Sequence, residues 1–194
     1  MAWDTERTKQ LLLEAATAEF SAHGLAGARV DRIAAEAGVN KERIYQYFGK
    51  KDELFGIVLA RQLAAVMDEV PLTGAGVAAV VDYAGRVFEY QVRHPELARL
   101  VFWEGLERDE PTALEARTAG ADSKVARLRE ALPTLSDANA RELLATILTL
   151  CDGWQELRAM DRVYTGTIER DAARNETRKA SVLLAIESLT RAMV

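Results

Sequence analysis

Glycines divide the first fifty residues into short segments, and this division most constrains the fold. Gly24, Gly38 and Gly49 each follow apolar residues at helical spacing. Glycine ends many helices because it readily adopts the left-handed backbone conformation. The segments are predicted helices: 5–23, 30–37 and 41–47. The short turn around Gly38, between the second and third segments, predicts a helix-turn-helix.

The predicted helix-turn-helix has a small apolar core and a polar outer face. Asn40 is a suitable cap for the third helix. The predicted core residues are Ile33, Ala34, Val39, Ile44 and Phe48. The third helix then presents lysine, glutamate, arginine, glutamine and two tyrosines outward or partly outward between residues 41 and 47. Polar and aromatic side chains of this kind suit a helix that enters the major groove of DNA.

The remainder of the chain is also predicted to be helical. The whole sequence has 33 alanines, which favour helices, and only four prolines, which interrupt them. It shows no alternating strand pattern and no internal repeat. Further helices are expected over 51–70, 73–94, 95–106, 111–132, 137–160 and 176–193, with a loop or a frayed helix end at 161–175. The sequence thus predicts an all-α protein of about nine helices. A three-helix DNA-binding domain (1–51) precedes a larger helical bundle (52–194).

Charge is unevenly distributed between these two parts. The whole chain carries a net charge of −5. Residues 29–51 nevertheless hold six basic and three acidic residues, whereas 52–194 hold seventeen basic and twenty-three acidic residues. A small basic end on an acidic body is typical of a DNA-binding domain joined to a domain with another role. Ordinary variation in surface charge is the alternative interpretation.

The segment 27–55 closely resembles the DNA-binding signature of the TetR family of transcriptional regulators. The matching positions are Ile33-Ala34, Ala37-Gly38-Val39, Ile44-Tyr45, Tyr47-Phe48, Lys51 and Leu54-Phe55. The resemblance implies a sequence-specific transcriptional regulator that binds a pseudo-palindromic operator as a homodimer. It also implies a repressor that an unknown small-molecule effector releases from the operator.

The same resemblance implies which residues bind DNA. By position, base edges are contacted by Lys41, Glu42, Arg43 and Tyr45, and phosphates by Tyr47 and Lys51. Arg29 stands where the family commonly has threonine or serine. Its side chain cannot cap a helix, but it can reach a phosphate. Lys50 likewise replaces a common serine or asparagine cap.

Each of these residues has a simpler alternative role. Arg43 can bind guanine, or it can pair with Glu42 or a phosphate. Glu42 can accept a hydrogen bond from cytosine, or it can favour the helix N-terminus and orient its basic neighbours. Lys51 can instead be a solvated lysine. Tyr45 and Tyr47 can pack within the DNA-binding domain while their hydroxyl groups reach phosphate.

For the larger domain, the resemblance implies ligand binding and dimerisation through the last two long helices, about 137–160 and 176–193. Their broad apolar faces fit burial on two sides, although a monomeric core remains the alternative. Candidate ligand-binding residues are Phe102, Trp103, Glu104, Cys151, Trp154 and Met160. The aromatic residues can equally be core residues, Glu104 can pair with Arg99 or Arg108, and Cys151 can be a buried, unreactive thiol.

Several classes of protein are not expected. The two histidines and the single cysteine form no metal-ligand spacing, and nucleotide-binding motifs are absent. We therefore expect no catalytic site, metal or cofactor. No apolar run is longer than the five residues of 77–81, which is too short to span a membrane, and no signal peptide is recognised. A cytoplasmic protein is expected. The alternative function is a DNA-independent sensor or adaptor that acts through protein partners.

Overall fold

A computed structural model describes residues 2–166 and 169–194 of the chain. Across these residues the protein is all-α, as predicted, with ten helices and no strand. None of the helices there is long and apolar enough to cross a membrane. The helices are α1 (Ala2–Gly27), α2 (Val30–Ala37), α3 (Glu42–Phe48), α4 (Lys51–Glu69), α5 (Gly76–Arg93), α6 (Pro95–Glu107), α7 (Leu114–Ala131), α8 (Asp137–Glu156), α9 (Arg158–Thr165) and α10 (Ala172–Met193).

The tenth helix arises because the region predicted as one helix over 137–160 is divided at Leu157. A guanidinium nitrogen of Arg170 donates to the carbonyl oxygen of Trp154, in the last turn of α8. Carbonyl oxygens at a helix C-terminus lack partners within the helix, and this bond satisfies one of them. The region predicted as a loop or a frayed helix end, 161–175, contains the last five residues of α9 and the first four residues of α10.

The predicted end of the first helix at Gly24 is a kink. Its backbone has φ 68° and ψ −177°, and one further helical turn follows it within α1. The carboxylate of Glu107 accepts hydrogen bonds from the N–H groups of Leu25 at 2.5 Å and Ala26 at 3.2 Å. A side chain at position 24 would overlap both Glu107 and Trp103. Glycine is therefore required there by conformation and by space.

Residues 1–65 and 99–114 form one compact unit of the chain, here called unit 1. Its buried residues include Leu12, Phe20, Ile33, Ala34, Ile44, Phe48, Leu54 and Phe55. The rings of Phe20 and Phe55 meet edge to face with centroids 5.3 Å apart. Each such fully buried side chain contributes about 1.5–3 kcal/mol to folding. Of the five predicted core residues, only Val39 is half-buried.

Residues 66–98 and 115–194 form a second compact unit, unit 2. In it α5 packs against α8 and α10, which also pack against each other. The core includes Val80, Ala84 and Phe88 of α5, Leu143, Ile147 and Cys151 of α8, and Val182 and Ile186 of α10. The boundaries between the units fall within α4, within α6 and after the first residue of α7, whereas the sequence placed one boundary after residue 51. The assignment of separate roles to 1–51 and 52–194 remains a prediction.

Candidate nucleic-acid interface

Helices α2 and α3 form the predicted helix-turn-helix. Gly38 ends α2 in the left-handed conformation, with φ 65° and ψ 29°. Its N–H donates to the Ala35 carbonyl at 3.2 Å, and the Val39 N–H donates to the Ala34 carbonyl at 3.0 Å. These two bonds satisfy carbonyls at the end of α2. No atom lies within 4 Å of a side chain placed at Gly38, so the backbone conformation alone favours glycine.

Helix α3 begins one residue later than predicted and has one buried side. Asn40 binds its first turn only weakly, through a 3.4 Å bond from the Glu42 N–H to its side-chain oxygen. Ile44 and Phe48 are fully or almost fully buried, and their spacing of four residues places them on the same face. The opposite face of α3 carries exposed, mostly polar side chains.

The four residues expected to face bases are all exposed: Lys41, Glu42, Arg43 and Tyr45. The Lys41 ammonium donates to Asp31 at 3.1 Å, and this hydrogen bond raises the pKa of Lys41. The Arg43 guanidinium donates to Gln46 at 3.3 Å and to the Tyr47 hydroxyl at 3.1 Å. Arg43 is thus oriented by Gln46 and Tyr47 of its own helix.

Tyr47 links α3 to α1. Its ring lies edge to face with Phe48 at 6.1 Å, and the Arg43 guanidinium and the Lys9 ammonium each lie 5.8 Å from its centroid. Lys9 also pairs with Glu6 at 2.9 Å. The sequence analysis missed Lys9 because it lies far from α3 in the chain. A cation beside Tyr47 adds to the positive potential of this surface.

Lys51 binds the backbone that leads into α2. Its Nζ atom donates to the carbonyl oxygens of Ala28 at 3.0 Å and Ala26 at 3.4 Å. An ammonium has three donors, so one remains for a phosphate. Lys51 is half-buried, which does not fit a fully solvated lysine.

Arg29 precedes α2 with an extended backbone and makes no side-chain cap, as its chemistry predicts. The Arg29 side chain is exposed, and Glu19 binds the backbone at the start of α2 instead. The Glu19 carboxylate accepts from the Arg29 N–H at 2.8 Å and pairs with Arg32 at 2.6 Å. Burial favours the neutral carboxyl, but these bonds outweigh it and lower the pKa of Glu19. Glu19 therefore stays charged and holds the start of α2 in place.

One half of a capping box precedes α4. The Lys50 N–H donates to the Glu53 carboxylate at 2.6 Å. Glutamate three residues into a helix often binds the capping residue in this way. The bond uses the backbone of Lys50, so it forms although a lysine stands where the family commonly has a serine or asparagine. Gly49 has φ 73°, and a side chain there would overlap the Glu53 carboxylate.

Three of the candidate ligand-binding residues lie on α6 in unit 1. Trp103 donates its indole N–H to the Ser21 carbonyl at 3.1 Å, and Phe102 is 36% exposed. Glu104 is buried and accepts from the N–H and hydroxyl groups of Thr112, at 2.7 and 2.6 Å. These contacts hold the segment after α6 against the helix.

The other three candidates lie in unit 2, and two of them line a cavity of about 310 Å³. Trp154 and Met160 contribute to its walls, together with Leu150, Leu157 and Tyr164. Cys151 is fully buried instead, and burial raises the pKa of its thiol to about 12. A thiol with so high a pKa is almost entirely protonated at neutral pH, which makes it a poor nucleophile. In the described residues, no group of three or more histidine, cysteine or carboxylate side chains could hold a metal.

Comparisons with known proteins match both parts of the chain. The family model described as bacterial regulatory proteins, tetR family, matches residues 12–57. The model described as the tetracyclin repressor-like C-terminal domain matches residues 79–187. The first match includes the helix-turn-helix, and the second includes all of α8 and α9.

Individual relatives agree with these family matches. The HTH-type transcriptional repressor SCO4008 of Streptomyces coelicolor is 38% identical over 186 residues, which cover 92% of this chain and 95% of the relative. The HTH-type transcriptional repressor NicS of Pseudomonas putida is 32% identical over 109 residues, or 54% of this chain and 51% of the relative. The crystal structure of SCO4942 from Streptomyces coelicolor superimposes with a TM-score of 0.74 and 30% identity. It covers 94% of this chain and 97% of that one.

Proposed function

Because this chain belongs to the TetR family of bacterial regulatory proteins, we propose that it represses transcription by binding one pseudo-palindromic operator as a homodimer. A small-molecule effector releases it from the DNA. Its role is to bind, without a catalytic step, and it acts in the cytoplasm, where bacterial DNA lies. This assignment follows from DNA binding and from the family.

The exposed face of α3 is the observation that carries the proposal. Lys41, Glu42, Arg43 and Tyr45 project from a helix whose other side is anchored by Ile44 and Phe48. An arginine at such a position can bind O6 and N7 of guanine through two hydrogen bonds. Phosphate contacts from Arg29, Tyr47 and Lys51 on either side fix the register of the helix in the groove.

A homodimer supplies the second recognition helix, and exposed leucines on α8 and α10 support this part of the proposal. Leu148 of α8 is 37% exposed and Leu184 of α10 is 66% exposed, although both helices also contribute to the core of unit 2. Isologous packing of these helices would bury the leucines. Two recognition helices related by the two-fold axis would contact half-sites about one helical turn, roughly 34 Å, apart.

The cavity lined by Trp154 and Met160 is the proposed effector site. Its volume of about 310 Å³ lies within the usual range for small ligands, and most of its wall is apolar. The same helices, α8 and α10, line this cavity and carry the proposed dimer contacts. A ligand that binds better to one dimer geometry would shift the population away from the DNA-binding geometry.

Selection of sheared genomic DNA on the purified protein, followed by sequencing, tests this function. We expect enrichment of one pseudo-palindromic site at near-physiological salt. No enrichment by protein that circular dichroism shows to be helical would contradict the proposal. It would favour the DNA-independent sensor or adaptor.

A further inference from the structure

The end of α6 binds the last part of α1, within unit 1. The Glu107 carboxylate accepts from the N–H groups of Leu25 and Ala26 through a single oxygen, Oε2. One turn earlier on α6, the indole N–H of Trp103 donates to the carbonyl oxygen of Ser21 at 3.1 Å. Two side chains of α6 thus bind the backbone of α1 on either side of its kink.

These two contacts occupy the groups that one helical hydrogen bond would pair. In a continuous α-helix the N–H of Leu25 donates to the carbonyl of Ser21, four residues earlier. The dihedral angles of Gly24 interrupt the helix between them. Glu107 binds the donor and Trp103 binds the acceptor. Because backbone groups are costly to leave without partners, these side chains of α6 stabilise the kink.

Lys51 binds the same turn from its other end. Its ammonium donates to the carbonyl oxygens of Ala26 and Ala28, and the Ala28 N–H donates to the Gly24 carbonyl at 3.2 Å. Residues 24–28, here called the linking turn, therefore have a carboxylate on their N–H groups and an ammonium on their carbonyl groups. Each charge lies at the end of the turn that the peptide dipoles favour.

The linking turn leads directly into the helix-turn-helix. Arg29 follows it at the N-cap position of α2, which begins at Val30. Since the Arg29 side chain forms no cap, the start of α2 depends on bonds to the backbone around it, including the bond from the Arg29 N–H to Glu19. The placement of α2 therefore depends on the backbone that Glu107 and Lys51 bind.

A direct contact between α6 and α4 is the weaker connection. Arg108 pairs with Asp52 at 3.5 Å, and the Asp52 side chain is 64% exposed. An exposed ion pair contributes little, because water and salt screen it. A carboxylate that accepts from backbone N–H groups forms stronger, charge-assisted hydrogen bonds. The linking turn is thus the main connection from Glu107 to the first residue of α4.

We propose that Glu107 is a positioning residue for operator binding. It fixes the linking turn and, through this turn, places Lys51 and the start of α2 for contact with DNA. The inference rests on the proposed repressor function, since it adds a residue to that same interface. Glu107 acts through the backbone N–H groups that it binds and makes no contact with the duplex.

The direction of the effect separates positioning from simple electrostatics. DNA is a polyanion, so the loss of a negative charge near the DNA-binding surface raises affinity when charge alone acts. Positioning predicts the opposite for Glu107→Ala, a lower operator affinity. Glu110 offers a matched control, because it is an exposed carboxylate of the same unit only three residues later.

Fluorescence anisotropy with the selected operator at near-physiological salt tests the proposal. The loss of hydrogen bonds to a charged group in Glu107→Ala should lower operator affinity about tenfold or more. Glu110→Ala should leave this affinity unchanged or raise it. Glu107→Gln keeps an oxygen that accepts from both N–H groups and should recover most of the affinity. Wild-type affinity in Glu107→Ala, or equal losses in the two Glu107 variants, overturns the proposal.

A double-mutant cycle with Lys51→Ala tests the route through the linking turn. In that background Glu107→Ala should cost less than about threefold in operator affinity, because the contact that it positions is already absent. Fully additive losses would contradict a connection between Glu107 and Lys51.

Hydrogen exchange tests the contact without DNA. The backbone N–H groups of Leu25 and Ala26 should exchange about tenfold faster in Glu107→Ala than in the wild type. Glu107→Gln preserves the shape of the side chain, should fold even where the alanine variant does not, and should show intermediate rates. Equal rates in the wild type and both variants overturn the proposal. A wild type that selects no operator contradicts the repressor function instead, whatever the exchange rates.

Discussion

The Nζ atom of Lys51 lies 3.0 Å from the carbonyl oxygen of Ala28. Ala28 immediately precedes Arg29, which occupies the N-cap position of α2 without a side-chain cap. The first residue of α4 therefore binds the backbone at the start of the helix-turn-helix. This contact places a positive charge beside two helix N-termini, where partial positive charge also favours an anion.

Lys51→Ala should weaken binding to every duplex, because the lost contact is to phosphate. The slope of log affinity against log salt should become less steep by about 1 per protomer. Fluorescence anisotropy with operator and unrelated duplexes at several salt concentrations measures both effects. Arg127→Ala removes an exposed charge from unit 2 and is the control. An unchanged affinity across salt would show that Lys51 does not contact phosphate.

Arg43→Ala should relax specificity at one base pair and have less effect on general affinity. A two-bond contact to guanine discriminates by about 1–3 kcal/mol. In the free protein Arg43 binds Gln46 and Tyr47, so these bonds must be exchanged for the base. Affinities for operators changed at single positions measure the effect. A uniform loss across all sequences would assign Arg43 to phosphate.

Gly38→Ala should destabilise the helix-turn-helix by about 1–2 kcal/mol, because an L-residue is strained at φ 65°. Gly105→Ala provides a matched control on α6, where nothing lies within 4 Å of the added carbon and the backbone is helical. The control should gain about 0.5–1 kcal/mol. Urea unfolding measures both. Equal effects of the two substitutions would contradict the requirement for glycine at position 38.

The turn and the core of the helix-turn-helix could be predicted from sequence because their determinants are local. Gly38 ends α2 by its own backbone preference, and Ile44 and Phe48 show helical spacing. The division between α8 and α9 carries no such signal, since neither proline nor a capping residue occurs at Leu157. It depends on Arg170 and on Asp161, which the chain brings together only after folding.

The candidate DNA-binding residues also divide into features predictable from local sequence and contacts that form only in the folded chain. The exposure of Arg43 and Tyr45 follows from the period of α3. The contact of Lys9 with Tyr47, and that of Lys51 with Ala28, join residues more than twenty positions apart. The bonds from the end of α1 to Glu107 were missed for the same reason.

Asp152 should make stability depend on pH. Burial raises the pKa of Asp152 to about 7, against the effect of a 2.5 Å hydrogen bond from Gln91. The unfolded carboxyl titrates near pH 4, at about 3.9. Between about pH 4 and pH 7 the unfolded state loses this proton first, so this group's contribution to stability falls as pH rises. The difference approaches about 4 kcal/mol above pH 7.

Asp152→Asn should remove this dependence. The variant should match the wild type near pH 4 and be more stable at pH 8, as measured by urea unfolding at fixed protein concentration. Asp82→Asn, which alters an exposed ion pair with Arg86, should not reproduce the change. A wild type that is as stable as Asp152→Asn at pH 8 would contradict the raised pKa.

Leu184→Glu should dissociate the proposed dimer, because it places a carboxylate in an apolar contact. Sedimentation velocity should show monomer at concentrations where the wild type is dimeric, and operator affinity should fall at least tenfold because the two half-sites are no longer linked. Leu106→Glu alters a leucine of α6 that is 75% exposed and should remain dimeric. A dimeric Leu184→Glu protein would exclude this face of α10 from the interface.

The ratio of affinities for the selected operator and for a scrambled duplex of equal length tests the central claim most directly. Measured at near-physiological salt, it should reach at least about 10³, and Arg43→Ala should reduce it. A ratio near one, with the protein folded and dimeric, would contradict sequence-specific binding by the helix-turn-helix.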